Sequence, residues 1–137
     1  MSSPFDAEQY PGRPRILFIG PGESSHTHSW IDLLKDEPFN VRLFPSSNLL
    51  PPEEWKVKTY VTAYDCPPLD PAWRVRLFDT GKIARLAGRQ IAKLRGQSWD
   101  VSGLAGEWLS RIIKAWRPHI VHTFGLEGAG EFYFGVR

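Results

Sequence analysis

The chain has 137 residues, 42% hydrophobic and 23% charged, with a formal net charge of +2. These totals suit one domain with its own core. They exclude a disordered chain and give no global attraction to nucleic acid. A single cysteine, Cys66, excludes an internal disulfide or a cysteine zinc cluster and fits a reducing cytosol, and no apolar run has the length of a membrane span or a signal-peptide core.

Residues 1–14 are rich in Ser, Pro and Gly and read as a flexible, loosely packed lead-in, leaving 15–137 as the domain. Ile16, Leu17, Phe18 and Ile19 form a continuous apolar run, the pattern of a central strand covered on both faces. Gly20-Pro21-Gly22 breaks it, and Ser24, Ser25 and Thr27 are helix-capping types. A first helix is expected over about 26–35, with Trp30, Leu33 and Leu34 as its apolar stripe. Pro38 ends it. Residues 40–44 read as a second strand, Val41 and Leu43 alternating against Arg42. Composition makes 45–54 a loop, 55–63 a third strand and 65–71 another loop.

The clearest helix covers 78–94, with Ile83, Leu86, Ala87, Ile91 and Leu94 on one face. Lys82, Arg85, Arg89 and Lys93 form a basic row on it. A solvated face explains such a row; an anionic acceptor or membrane surface is the functional alternative. A further helix begins at Ser98 or Ser102 and runs to about Trp116, closed by Arg117-Pro118. Residues 119–124 read as another buried strand. A second glycine turn follows over 125–130, and a last helix begins near Ala129. The chain ends in an apolar-aromatic stretch without a helix cap, which points to a piece of a longer protein. The order β-α-β-β-α-α-β-(α) implies an α/β, Rossmann-like fold, with a mostly parallel sheet and helices on both faces. Both glycine turns then lie at the carboxyl ends of strands, where such sheets bind ligands.

Four constellations could carry chemistry. In Gly20-Pro21-Gly22-Glu23-Ser24-Ser25-His26 the dinucleotide fingerprint fails at Ser25, and no P-loop Lys is present. Backbone amides at a helix start still attract an oxyanion; a tight turn without ligand is the other reading. His26 and His28 diverge by about 200° on a helix. With no third ligand nearby, no metal site is expected. His26 is the better candidate for bonding a hydroxyl or phosphate, and His28 is expected on the helix surface. His122, near the end of its strand, is either an acid–base residue or a satisfied core histidine. The basic row is the fourth. No nucleophile elbow or triad spacing is present.

Taken together, 15–30 (RILFIGPGESSHTHSW) and 116–125 (WRPHIVHTFG) resemble the N-terminal domain of GT-B glycosyltransferases, closest to the retaining family-four group. Gly22 and His26 match the family's glycine-to-histidine spacing. Pro118, Ile120, Val121 and His122 match its Pro-Asp-apolar-apolar-His-x-His strand end. His119 stands at the usual aspartate and Phe124 at the usual second histidine, so His122 is the remaining catalytic candidate on this strand.

The resemblance implies the N-terminal half of a GT-B fold, mainly holding the acceptor, with the active site in a cleft shared with a second domain. It implies a nucleotide-sugar donor as substrate, no cofactor and no metal. Gly20, Gly22, Glu23 and Ser24 would meet the donor diphosphate, and His26, Phe124, Gly125 and Glu127 would shape the acceptor cleft. A sugar or a lipid-linked acceptor, a cytoplasmic location at the inner membrane face, and pairing of the exposed cleft face into a homodimer are further expectations. The chain alone would be inactive, and Gly22→Val would cripple donor turnover with the fold intact. The rivals are a non-catalytic flavodoxin-like nucleotide- or phosphate-binding module, another GT-B class such as a sugar-nucleotide epimerase, and a protein-interaction scaffold.

Overall fold

The computed structural model describes residues 3–46, 49–61, 67–77 and 102–124. Five strands are β1 (Arg15–Gly20), β2 (Asn40–Pro45), β3 (Lys58–Val61), β4 (Arg74–Arg76) and β5 (Ile120–Thr123). The helices among the described residues are α1 (Ser25–Asp32) and α2 (Ser102–Trp116). Every strand pair is parallel, and the sheet order is β4-β3-β2-β1-β5. This is an α/β, Rossmann-like arrangement. From β1 the chain steps outward through β2, β3 and β4. It then returns by way of α2 to the opposite flank of β1, with Ile16 beside Ile120 and Phe18 beside His122. The winding therefore reverses between β1 and β5.

The apolar run of β1 explains its central place, since alternate residues feed two cores. Leu17 and Ile19 join Phe44, Tyr60 and Phe5 beneath Leu109 and Ile112 of α2. Ile16 and Phe18 join Leu43 and Val57, with Ile31 of α1 and Leu34 of the turn behind it packed against them. A helix thus covers each face, and each buried Leu, Ile or Phe is worth about 1.5–3 kcal/mol of transfer free energy. α2 ends as expected at Arg117-Pro118. Arg117 takes a left-handed conformation, φ 52°. Its N–H donates to Ile113 O, and its own carbonyl accepts from the Arg15 guanidinium at 3.0 and 2.9 Å.

Several expectations are corrected. The inward side of α1 is Thr27 and Ile31, with Leu34 in the turn that follows, while Trp30 and Leu33 are exposed. The third strand begins at Lys58, because Trp55 closes a turn on Pro52 O. β4 was not expected. Arg74 reads as polar, yet it is buried, its guanidinium donating to Pro51 O at 2.8 Å and Pro52 O at 3.0 Å. β5 is half-exposed rather than buried: Ile120 is 51% exposed, and β1 is its single neighbour among the described residues. The helix expected over 78–94, the basic row and the turn over 125–130 lie outside the described residues.

Residues 3–14 are mostly exposed but make specific contacts with the sheet. Phe5 is a core residue. Asn40 Nδ2 donates to Tyr10 O and Arg13 O, and Tyr10 N–H donates to Asn40 Oδ1. Lys58 Nζ donates to Phe5 O at 2.7 Å and also to Ala7 O.

Arg42 departs furthest from the alternation expected for β2. It is 5% exposed and lies on the α2 face of the sheet. Its guanidinium carbon sits 4.8 Å from the Phe5 ring centroid and 4.4 Å from that of Trp116, and Nη1 donates to Tyr60 OH at 2.7 Å. Two aromatic faces and a phenol oxygen replace much of the water such a cation gives up.

Candidate functional site

Parallel sheets open a crevice where the winding reverses, because flanking loops leave in opposite directions there. Here that place is the carboxyl ends of β1 and β5. A groove of about 440 Å³ lies there. Pro21 and Ser24 of the turn, with His26, Thr27 and Trp30 of α1, form one wall. His122, Thr123 and Phe124 form the other.

Local chemistry sets both walls. Ser24 is the N-cap of α1, its Oγ accepting from His26 N–H at 3.2 Å. That bond satisfies one of the helix's free amides. Phe124 N–H donates to Ile19 O at 3.0 Å and extends the β1–β5 ladder by one bond. Four rings then meet. His26 lies 6.3 Å from Trp30 and 6.1 Å from Phe124; His122 lies 5.6 Å from Trp30 and 5.0 Å from Phe124. His26 and Trp30 share a helix face by their i, i+4 spacing. Trp30 is 45% exposed, so its ring is open to a ligand as well as to its neighbours.

Among the described residues, none of the groove's lining side chains is a Lys, Arg, Asp or Glu. Its polar equipment is hydroxyl and imidazole. Thr27 is 1% exposed, and its Oγ1 has no hydrogen-bond partner among the described residues. An imidazole can take or give a proton near neutral pH, and both histidines stand where a bound hydroxyl could reach them.

The expected residues sort clearly. Ser24, His26, His122 and Phe124 line the groove. Gly20 and Gly22 are buried elsewhere. A Cβ on Gly20 would run into the Phe124 ring, and one on Gly22 would lie 2.8 Å from Leu49 O and 3.3 Å from Pro51 Cδ. Close packing is what each glycine serves, so Gly22→Val attacks the fold first. Glu23 is exposed and outside the lining. Gly125 and Glu127 lie outside the described residues. His28, expected on the surface, stacks on Trp55 at 4.2 Å. His119 sits at the far end of β5, its Nδ1 accepting from Arg15 N–H. Trp30, Thr27 and Thr123 were missed, although the His26-to-Trp30 spacing pointed to the first.

Among the described residues no three of His, Cys, Asp and Glu converge as a metal site would require, and no helix is long and apolar enough to cross a membrane. Compared with family models, curated proteins and solved structures, the chain matches none.

Proposed function

We propose that the chain is the acceptor-side, Rossmann-like domain of a GT-B glycosyltransferase, which transfers a sugar from a nucleotide-sugar donor to an acceptor in a cleft shared with a second domain. One observation carries the reading. The two segments that resemble that family, about a hundred residues apart, lie side by side at the winding reversal, and both contribute to one groove. The ring-walled groove, with no described Lys or Arg in its lining, suits a sugar or lipid-linked acceptor better than a phosphate.

In this reading the acceptor hydroxyl attacks the anomeric carbon and a ring nitrogen of His122 takes its proton. The bond from that carbon to the diphosphate oxygen breaks, and its electron pair leaves with the nucleoside diphosphate. Ser24 and the first turn of α1 face the developing charge, where an oriented helix start is stabilising. Gly20 and Gly22 shape the turn from behind. His26 and Trp30 position the acceptor.

The test is nucleoside diphosphate release by the natural-length protein from UDP-, GDP- and ADP-sugars, with sugar and lipid-linked acceptors. Turnover is expected with one donor, and His122→Ala should lower kcat by about 10²-fold or more. No release from any donor would sink the transferase reading. Full turnover by His122→Ala would remove the role given to that residue.

A further inference from the structure

A helical threonine commonly returns its hydroxyl to a carbonyl three or four residues earlier. Thr27 does not. It is buried in the first turn of α1, and its Oγ1 bonds no described residue. A hydroxyl left dry and unpaired is destabilising. Thr27 lines the groove beside β1, so a bound molecule can supply the missing partner.

Trp30 stands three residues further on, on the same wall of the groove. The His26, His122 and Phe124 rings meet it at 6.3, 5.6 and 6.5 Å, with interplanar angles of 78°, 31° and 63°. None of them lies flat on the indole, which keeps open surface.

These two features narrow the occupant. A wholly apolar molecule would cover Trp30 and leave Thr27 Oγ1 unpaired. An anion would find no described Lys or Arg in the lining, and a cation no described Asp or Glu. An uncharged molecule with an apolar face and hydroxyls at its rim meets both needs. A pyranose ring has that form: its C–H bonds make the face, and its hydroxyls donate and accept.

We infer that the groove reads a neutral pyranose ring, with the ring's C–H face on Trp30 and one hydroxyl bonded to Thr27 Oγ1. The inference rests on the acceptor-binding half of the proposed function and deepens it. The sugar ring, not a lipid chain, is the part bound, and Thr27 discriminates among sugars. Ser24 Oγ accepts from His26 N–H and keeps its own O–H for a second hydroxyl. The groove's volume of about 440 Å³ falls in the range of small-ligand sites.

The experiment titrates the 137-residue chain with the methyl pyranosides of glucose, mannose and galactose. Sorbitol, cyclohexanol and inorganic phosphate serve as comparisons. Binding is followed by the Trp30 indole N–H resonance, assigned by its loss in Trp30→Leu, and by calorimetry in the variants. At least one pyranoside should shift that resonance saturably and bind more tightly than every comparison compound. Trp30→Leu should weaken binding about tenfold or more. Thr27→Val should weaken it about fivefold without lowering the thermal midpoint, since the lost hydroxyl bonds nothing in the free chain. A lowered midpoint with unchanged affinity would make Thr27 a structural residue and overturn its role. No saturable response to any pyranoside, or an equal response to sorbitol, cyclohexanol or phosphate, would overturn the inference, even where donor turnover is found. Pyranoside binding without turnover of any donor would uphold it and sink only the transferase reading.

Discussion

At the carboxyl ends of the strands, the groove beside β1 is walled by rings and hydroxyls and stands open. At the amino ends, Arg42 and Lys58 sit beneath Phe5, Tyr60 and Trp116, and the segment from Phe5 to Ala7 lies across them. Aromatic side chains serve both regions in different ways. Beside β1, Trp30, Phe124 and the two imidazoles pack edge to face and tilted against one another, which leaves ring surface exposed. Around Arg42 the rings are committed to a cation. One end therefore leaves ring surface open to solvent, and the other ties the chain's first residues to its sheet.

That contrast predicts a hierarchy of effects. Arg42→Ala should be the most damaging change, because it removes a buried side chain flanked by two rings and leaves a void. A loss of about 3–5 kcal/mol is expected from urea unfolding. A loss below about 1 kcal/mol would show that Arg42 is not part of the scaffold. At the other end, Gly22→Val should cost about 2–3 kcal/mol, since the new Cβ meets the Leu49 carbonyl, a backbone atom that cannot swing aside. Wild-type stability with lost ligand binding would instead return Gly22 to the ligand side of the groove.

The smallest expected effect is Tyr60→Phe, about 1.5–2 kcal/mol at neutral pH for a hydrogen bond to a charged donor. Its pH profile is more informative. Burial raises the Tyr60 phenol above its usual 10.0, although Arg42 opposes the shift. The folded state then holds the Tyr60 proton where the unfolded chain releases it. The stability from Tyr60 is complete below pH 10.0 and falls as pH rises through the raised value. Lys58 acts in the opposite sense, because its folded pKa is lowered: its unfavourable contribution is relieved as pH climbs towards 10.5. Unfolding midpoints from pH 8 to 11 should therefore decline less steeply in Tyr60→Phe than in the wild-type protein. Parallel declines would mean that Tyr60 does not control the alkaline limb.

Much of the sheet was legible in the sequence. β1, β2 and β5 announced themselves through short apolar runs with turn residues behind them, and α2 through its period. β4 was hidden because Arg74 and Arg76 read as polar, while Arg74 is neutralised as a surface feature by carbonyls of Pro51 and Pro52, over twenty residues earlier. Arg42 was misread for the same reason, its partner Tyr60 lying 18 residues away and Phe5 37. In α1 the three-and-four spacing of Trp30, Leu33 and Leu34 pointed to the wrong face, because Thr27 rather than a larger apolar residue marks the buried side. In the candidate site, His26, Ser24, His122 and Phe124 could be read from motif spacing. The burial of Gly20 and Gly22 could not, since it depends on which remote atoms occupy the place of their absent Cβ.

The β1–β5 pairing has a kinetic consequence. Arg15 and His119 are 104 positions apart, and closing a loop of that length costs about 4 kcal/mol of chain entropy. β1 and β2 meet over a much shorter separation and can pair early. One wall of the groove therefore exists before the other, and the ring cluster is completed only when the last strand arrives. In refolding, close approach of Trp30 and His122 should lag behind formation of the β1–β2 ladder, so the groove is a late product of the folding reaction.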